Sequence, residues 1–259
     1  MKLNADNYFS TEADKAYFSA SQIKEMKSCP ARAMARLEGR YTQEPSTALL
    51  VGSYVDAALT GDLDEWIAEH PEVFKKDRTL KADFISAASM VERAKRDELF
   101  MFTMTGDHQT ILTGEIFGAP FKAKLDCLKD DAIVDLKTVR DLSPVYLPGQ
   151  GRLDFASAWD GPLQMAIYQE LVRQKTGKTL PCFLSVITKE TPPDVRVIQI
   201  EQERLDAELA WLEQFLPKFD AIKSGAIDPP RCEHCAWCRE SRILTAPEML
   251  SDFEDGGNE

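Results

Sequence analysis

The chain has 259 residues, of which 44% are hydrophobic and 29% charged, a composition typical of a soluble globular protein with a substantial core. Its net charge of −12 argues against a protein coated with basic surface for nucleic acid, although a local basic groove can coexist with an acidic exterior. No run approaches the roughly 20 apolar residues of a membrane span. The first residues lack the basic-then-apolar layout of a secretion signal. We therefore expect a cytoplasmic protein without membrane contact.

Helical patterns dominate the first hundred residues. Ser19 has the position of a helix cap, and Pro30 breaks the pattern that follows it. The first 18 residues are mixed and polar, so we expect a loosely held lead-in. Helices are predicted over 19–29, 31–37 and 48–59, and over most of 61–100. Residues 101–112 are expected to form a strand or an irregular approach to the next region.

Two strand patterns flank a turn between residues 113 and 139. In the first strand Phe121, Ala123, Leu125 and Cys127 share one phase, and the cluster 129–131 is typical of a hairpin turn. The second strand is predicted over 132–138, short and mostly buried.

Charged residues interrupt these strands. Asp135 and Lys137 lie inside the second strand and share one face, because residues two apart in a strand point the same way. Asp126 lies near the end of the preceding strand, and Glu115 comes one strand-length earlier. Three carboxylates and a lysine on adjacent strands are costly unless a cation holds them. The pattern therefore predicts a metal site.

The second half of the chain alternates loops, strands and helices. Residues 139–160 are rich in proline and glycine and are expected to be mostly loop. Strands are predicted over 182–188 and 195–200, and helices over 161–174 and 202–223. Gln164 and Tyr168 share one face of the first of these helices. Pro217 is expected to kink or interrupt the second.

Six cysteines divide into two groups. Cys127 and Cys182 lie in apolar strand patterns and are expected to be small core residues. Cys232, Cys235 and Cys238 form a CxxCxxC pattern, which suits a soft metal ion or a cluster far better than disulfide bonding.

The acidic strands carry a specific resemblance. Asp126, eight further residues and then Asp135-Leu136-Lys137 resemble the core of the PD-(D/E)xK nucleases. Gln164 to Tyr168 resembles the QxxxY motif of RecB-like, lambda-exonuclease-like and RecE-like enzymes. Glu115 stands where the exonuclease branch carries an extra acidic residue. From about Ser19 to Leu244 the chain resembles the phage RecE-like exonucleases (exodeoxyribonuclease eight).

This resemblance implies an α/β fold of the restriction-endonuclease-like kind, with a central mixed β-sheet flanked by helices. It implies a single nuclease domain over 1–259, with an N-terminal helical segment at about 19–100 and a cysteine-rich tail at 229–259. The acidic end of the tail is expected to be frayed.

The resemblance also implies a chemistry. One or two Mg²⁺ (or Mn²⁺) ions would be held by Asp56, Glu115, Asp126, Asp135 and the backbone carbonyl of Leu136. Asp56 replaces a histidine found in many relatives, and a carboxylate suits a hard cation. Lys137 would orient or deprotonate the attacking water. Gln164 would contact metal-bound groups, and Tyr168 the DNA backbone.

A second resemblance concerns the cysteines. The phrase SxxQIKxxxxCP, which ends at Cys29 and Pro30, is similar to the opening of four-cysteine nucleases related to AddB. It implies a 4Fe–4S cluster on Cys29, Cys232, Cys235 and Cys238. The last spacing is shorter than in those nucleases. Zinc on the same four cysteines, zinc with His234 as a ligand, and no metal at all therefore remain open.

The function implied by the resemblance is a metal-dependent DNA exonuclease. It would degrade linear double-stranded DNA from its ends, 5′ to 3′, and leave 3′ overhangs for a phage recombinase that anneals single strands. Relatives form homo-oligomeric rings. Two alternatives are a non-catalytic DNA-end or protein-binding module and a scaffold whose metal serves stability alone. The intact set of Asp126, Asp135 and Lys137 favours catalysis.

Overall fold

The computed structural model describes residues 1–42, 46–147, 149–247 and 249–250. Pro148, in the predicted loop region, lies outside the described residues. So do 251–259, the acidic end of the predicted tail.

The sheet explains how the acidic strands meet. The strands are β1 (Asp107–Ile116), β2 (Ala119–Leu128), β3 (Ile133–Val139), β4 (Val145–Leu147), β5 (Gly151–Leu153), β6 (Cys182–Thr188) and β7 (Val195–Ile200). Five of them form a sheet in the order β1-β2-β3-β6-β7, and β4 pairs with β5 separately. Strands β3 and β6 are parallel, whereas the other neighbours in the large sheet are antiparallel. The predicted mixed sheet is confirmed.

Helices cover both faces of the sheet. They are α1 (Thr11–Ala16), α2 (Ala20–Ser28), α3 (Pro30–Leu37), α4 (Thr47–Thr60), α5 (Leu63–Glu69), α6 (Ala82–Lys95), α7 (Glu98–Thr103), α8 (Gly161–Thr176), α9 (Gln202–Lys223) and α10 (Ala236–Glu240). Short 3₁₀ turns occur at Pro71–Val73 and Ser157–Trp159. Ser19 caps α2 by accepting a hydrogen bond from the backbone N–H of Gln22.

Two apolar cores lie on opposite faces of the sheet. Helices α2, α8 and α9 pack on one face against side chains such as Phe121, Leu125 and Leu184. Helices α4, α6 and α7 pack on the other face against Val134 and Ile187. Because each face is covered, most residues of β3 and β6 are buried, and a charge inside these strands is costly.

The first 18 residues differ from the prediction. Residue Phe18 is buried and pairs with β2, its backbone N–H donating to Pro120 and its carbonyl accepting from Lys122. Tyr8 and Ala13 are also buried. A polar composition concealed these few apolar anchors, so the prediction of a loose lead-in is wrong.

Other differences are local. Residues 101–103 belong to α7 rather than to a strand. Helix α9 runs through Pro217 as one element to Lys223, so it is not interrupted there. Cys127 packs in the core opposite to that of Phe121 and Leu125, because the regular alternation of β2 breaks at Asp126. Among the described residues, no helix is both long enough and apolar enough to cross a membrane.

Candidate active site

A fork between β2 and β3 creates the site. The two strands pair only beside their turn, at Cys127 with Val134 and Leu128 with Ile133. Beyond this point the N–H of Leu136 donates instead to Oδ2 of Asp126, at 2.9 Å. The fork thus brings Asp126 of β2 next to the Asp-Leu-Lys segment of β3.

Charge is concentrated at the fork. Burial raises the pKa of Asp126 well above its usual range, and the neighbouring charges of Asp135 and Asp56 raise it further. Asp135 is only 1% exposed and contacts the ammonium of Lys137. Burial lowers the pKa of Lys137, but the attraction of Asp135 and Asp126 outweighs it and raises the pKa overall. Lys137 is therefore an ammonium at neutral pH.

Helix α4 contributes Asp56. Its close approach to β3 is helped by Gly52, where a Cβ atom would lie 3.4 Å from Oγ1 of Thr138. Oδ2 of Asp56 accepts a hydrogen bond of 2.9 Å from Nε2 of Gln109 in β1. Burial raises the pKa of Asp56, as does the charge of Asp135, whereas His108 and Lys124 lower it.

Two buried oxygen atoms at this site lack a hydrogen-bond partner: Oδ1 of Asp56 and Oδ2 of Asp135. The latter forms an ion pair with the ammonium of Lys137, whereas Oδ1 of Asp56 has neither a hydrogen bond nor an ion pair among the described residues. Buried carboxylate oxygens left unsatisfied are expensive, and oxygen donors are what Mg²⁺ and Mn²⁺ prefer. The residues present therefore fit a hard divalent cation. The use of the Leu136 carbonyl as a ligand stays a prediction.

Helix α8 supplies a hydrogen-bonded chain. Gln164 donates from Nε2 to Oδ1 of Asp135 at 2.8 Å and to the Tyr168 hydroxyl at 3.0 Å. Tyr168 is 8% exposed. Burial and the charges of Asp135 and Asp126 raise its pKa, so the phenol stays neutral. The structure thus places both residues of the QxxxY pattern beside the acidic fork.

Lys24 of α2 was not predicted to take part. Its Nζ donates to Oε1 of Gln164 at 2.7 Å, which links α2 to the fork. Burial and the positive charge of Lys137 lower the pKa of Lys24 to about 8, while Asp135 and Asp160 oppose this shift. Lys24 lies in the SxxQIKxxxxCP motif, and this motif is the sequence feature from which its role could have been predicted.

Gln109 and His108 were also missed. The register of β1 with β2 leaves Gln109 opposite Asp126, and Gln109 has a left-handed backbone with φ 53°. Such a conformation is uncommon for residues other than glycine and often marks a functional site. Nδ1 of His108 lies 3.1 Å from the backbone oxygen of Asp126. Gln109 lies in an amphipathic strand, and nothing in the local sequence identifies it as a site residue.

Glu115 does not join the site. It is exposed and lies opposite Pro120, at the far end of the β1–β2 hairpin. It lies six positions along β1 from Gln109, about 20 Å at the usual rise of a strand. Its backbone bonds to the side chain of Gln174 on α8. The prediction that Glu115 is a ligand beside Asp126 is wrong in its geometry, because the hairpin carries it away from the fork.

Basic and aromatic side chains surround the fork. A groove of about 1000 Å³ is lined by four basic residues, Lys24, Arg32, Arg36 and Lys122, and by two acidic residues, Asp14 and Glu25; Lys122 is buried and paired with Asp14. A smaller pocket of about 280 Å³ is lined by Lys137, Arg140 and Lys189. Trp159, which is 67% exposed, lines both. The acidic protein therefore carries more basic than acidic side chains along this groove and pocket.

The four predicted cysteines converge elsewhere. The Sγ atoms of Cys29, Cys232, Cys235 and Cys238 all lie within 4.8 Å of one another. Cys29 and Cys238 are fully buried, and the other two are partly buried. His234 is exposed and lies outside this group.

The fold and the site agree with comparisons to known proteins. Residues 19–241 match the family model described as a PDDEXK-like domain of unknown function (DUF3799). The chain belongs to this family. The crystal structure of a "Putative exonuclease" from Eubacterium rectale is similar to this PDDEXK-like protein, with 41% identity, a TM-score of 0.95 and 99% of each chain covered. A search of curated proteins gave no match.

These findings decide the broad class of the PDDEXK-like protein. It has the PD-(D/E)xK fold, and it is a nuclease. The predicted PD-(D/E)xK resemblance and the predicted fold class are confirmed. Nucleases of this superfamily use divalent metal ions, and the carboxylates at the fork fit one.

Proposed function

We propose that the protein is an exodeoxyribonuclease that uses Mg²⁺ or Mn²⁺ to hydrolyse linear double-stranded DNA from its ends. The observation that supports this most directly is the buried Oδ1 of Asp56, which has no hydrogen-bond partner, in the same site as Asp135, Lys137 and Gln164. A buried carboxylate oxygen without a partner is costly unless a cation binds it.

The carboxylates of Asp56, Asp126 and Asp135 would hold the cation. When bound, the cation withdraws electrons from the scissile phosphodiester and makes the attacking water more acidic. The hydrogen bond from Leu136 fixes the carboxylate of Asp126, and the hydrogen bond from Gln164 fixes that of Asp135. Side chains locked in this way keep the site pre-organised.

Lys137 would orient the attacking water and stabilise negative charge as it develops on the phosphate. The raised pKa of Lys137 favours this role over proton abstraction, because a base must first lose its own proton. Lys24 brings a second positive charge to the opposite side of Gln164. The basic groove and the exposed ring of Trp159 suit the backbone and the bases of a DNA strand.

The finer expectations belong to the same proposal. Cleavage would run 5′ to 3′ and leave 3′ overhangs for a phage recombinase that anneals single strands. The enzyme would act as a homo-oligomeric ring, which encloses the duplex and favours continuous degradation. Mass measurement in solution tests the ring, and co-purification with a single-strand-annealing protein tests the partner.

The deciding experiment is degradation of end-labelled linear duplex with Mg²⁺, beside EDTA and a covalently closed circle. We expect loss of the linear duplex with Mg²⁺ alone, an intact circle, and early release of a 5′ label. Lys137→Ala should abolish cleavage, whereas the exposed Lys178→Ala should not. Both variants must keep the circular dichroism of the parent.

Other outcomes would point elsewhere. Cleavage of the circle would indicate an endonuclease. Survival of linear DNA with both Mg²⁺ and Mn²⁺ would contradict the proposal and favour a module that binds DNA ends or a protein without cutting.

A further inference from the structure

The four cysteines join distant parts of the chain. Cys29 ends α2 and precedes Pro30 at the start of α3, while the other three lie around the start of α10. The backbone N–H of Ala31 also donates to the carbonyl of Pro230, at 3.0 Å. The resemblance to AddB-like nucleases implies a 4Fe–4S cluster at this junction, so its fit can be tested against the sulfur positions.

The four sulfur atoms lie close enough together to bind one ion, all within 4.8 Å of one another. Cys29 Sγ is 3.6 Å from Cys238 Sγ and 3.8 Å from Cys235 Sγ, and Cys232 Sγ is 3.9 Å from Cys238 Sγ. A single ion that binds four thiolates at about 2.3 Å places them about 3.8 Å apart. The observed separations match one central ion.

A 4Fe–4S cluster needs a wider cage. Its four thiolates bind four different iron atoms, which sets them on the order of 6 Å apart. The most distant pair of sulfurs here lies within 4.8 Å. Cys29 and Cys238 have no exposed surface and pack with Ala31, so they cannot move outward without disturbing α3. The residues present do not fit the cluster.

Local backbone geometry also suits one ion. The N–H groups of Cys235 and Cys238 point at the Sγ atoms of Cys232 and Cys235, at 3.3 and 3.4 Å. Glu233 has a left-handed backbone with φ 65°, which folds the Cys232–Cys235 turn tightly. N–H donors of this kind stabilise thiolates and fix their direction.

We propose that Cys29, Cys232, Cys235 and Cys238 hold one tetrahedral Zn²⁺ ion in place of an iron–sulfur cluster. Zinc accepts four thiolates in closed structural sites, and it binds such ligands more tightly than Fe²⁺ does. The ion clamps the tail onto the junction of α2 and α3. Because α2 carries Lys24, the clamp also holds the helix that reaches Gln164.

Metal analysis tests the proposal without any measurement of nuclease activity. The full chain is produced in cells supplied with both zinc and iron, and purified without oxygen. We expect one zinc per chain, no acid-labile sulfide, no visible absorption, and an X-ray absorption spectrum with a sulfur shell and no metal–metal scattering. Four iron and four sulfide per chain, a single iron, or a metal-free protein would each overturn the proposal.

Variants locate the ion. Cys232→Ser should lose the zinc, whereas Cys182→Ala, which removes a buried cysteine outside the group, should retain one zinc per chain. If Cys232→Ser does not fold, Cys235→His provides a second test, since zinc accepts histidine and a three-cysteine site should retain it. Retention of full zinc by both Cys232→Ser and a Cys29→Ser variant would place the ion elsewhere and contradict the assignment.

Discussion

Burial at the fork disfavours the charged form of individual carboxylates. Asp126 and Asp56 both have raised pKa values, and burial is the first cause for each. Without a bound cation, these buried carboxylates lower the stability of the folded protein. A bound cation would offset that cost. The proposed function therefore makes the same residues responsible for cleavage and for the pH dependence of folding.

Substitution of single carboxylates should distinguish those that bind the cation from those that do not. Asp126→Asn removes a charge needed to hold the cation, and we expect cleavage to fall by about 10²-fold or more, the usual loss when a central catalytic interaction is removed. Glu115→Gln should leave cleavage within twofold, because Glu115 lies at the other end of the hairpin. Initial rates on linear duplex measure both. Equal losses in the two variants would contradict the assignment of the site.

Protonation of Asp126 should make the metal-free protein more stable in acid. Its pKa is higher in the folded than in the unfolded chain, so the folded state binds the proton more tightly. The stabilisation is complete below the unfolded pKa, near 4, and is lost as pH rises through the folded pKa. With EDTA, the melting temperature should fall as pH rises above about 4, and less steeply in Asp126→Asn. The same slope in both proteins would exclude this cause.

Deprotonation of Lys24 should weaken DNA binding at high pH. With its pKa lowered to about 8, it is an ammonium below that pH and a neutral amine above it. Affinity for DNA should be full below pH 8 and decline as pH rises further. Lys24→Arg, which stays charged, should remove the decline, whereas Lys24→Met should bind weakly at every pH. Fluorescence anisotropy with labelled duplex in EDTA measures this, and an unchanged decline in Lys24→Met would refute it.

Site residues could be predicted from the sequence only where they belong to a local motif. Asp126, Asp135, Lys137 and Gln164 follow such a pattern, and the structure brings them together. Lys24 and Gln109 reach the site from other elements, so only tertiary packing reveals them. Glu115 was misplaced because spacing along the chain does not say how far a hairpin carries a residue.

Among the elements, those with strong periodicity were predicted well. The bounds of β6, β7 and α9 agree with the predicted ranges 182–188, 195–200 and 202–223. The site depends instead on how elements approach one another. The fork between β2 and β3 and the contact of α2 with α8 have no local signal, because both arise from packing.

The turn before α8 offers an element-scale test. Trp159 in this turn lines both the smaller pocket, which contains Lys137, and the larger groove. Stacking of a base on an aromatic ring contributes about 1–3 kcal/mol. Trp159→Ala should therefore weaken single-strand or duplex-end binding by about tenfold, and Trp159→Phe should retain most of it. Phe102→Ala, which removes an exposed ring on α7, serves as the control. An equal effect of Phe102→Ala would point to lost stability instead.

At the scale of the whole molecule, a net charge of −12 coexists with a basic groove. Long-range repulsion opposes the approach of DNA, while contacts in the groove favour it. Both terms depend on salt, but contacts with phosphates release counterions and dominate the slope of affinity against salt. The net negative charge of the protein therefore predicts that DNA binds its exterior weakly. The basic residues of the groove predict that DNA binds there and that its affinity falls as the salt concentration rises.

The salt dependence of DNA binding tests this distribution of charge. Arg36 lines the groove and shares Glu25 with Arg32, so part of its charge is already balanced. Arg36→Ala should weaken binding and reduce the slope of log affinity against log salt by about 1. Arg173→Ala removes an arginine that is also paired with a helical glutamate, Glu170, but that does not line the groove. Its slope should equal that of the parent. If both variants change the slope alike, the net charge of the molecule, and not the groove, sets the interaction with DNA.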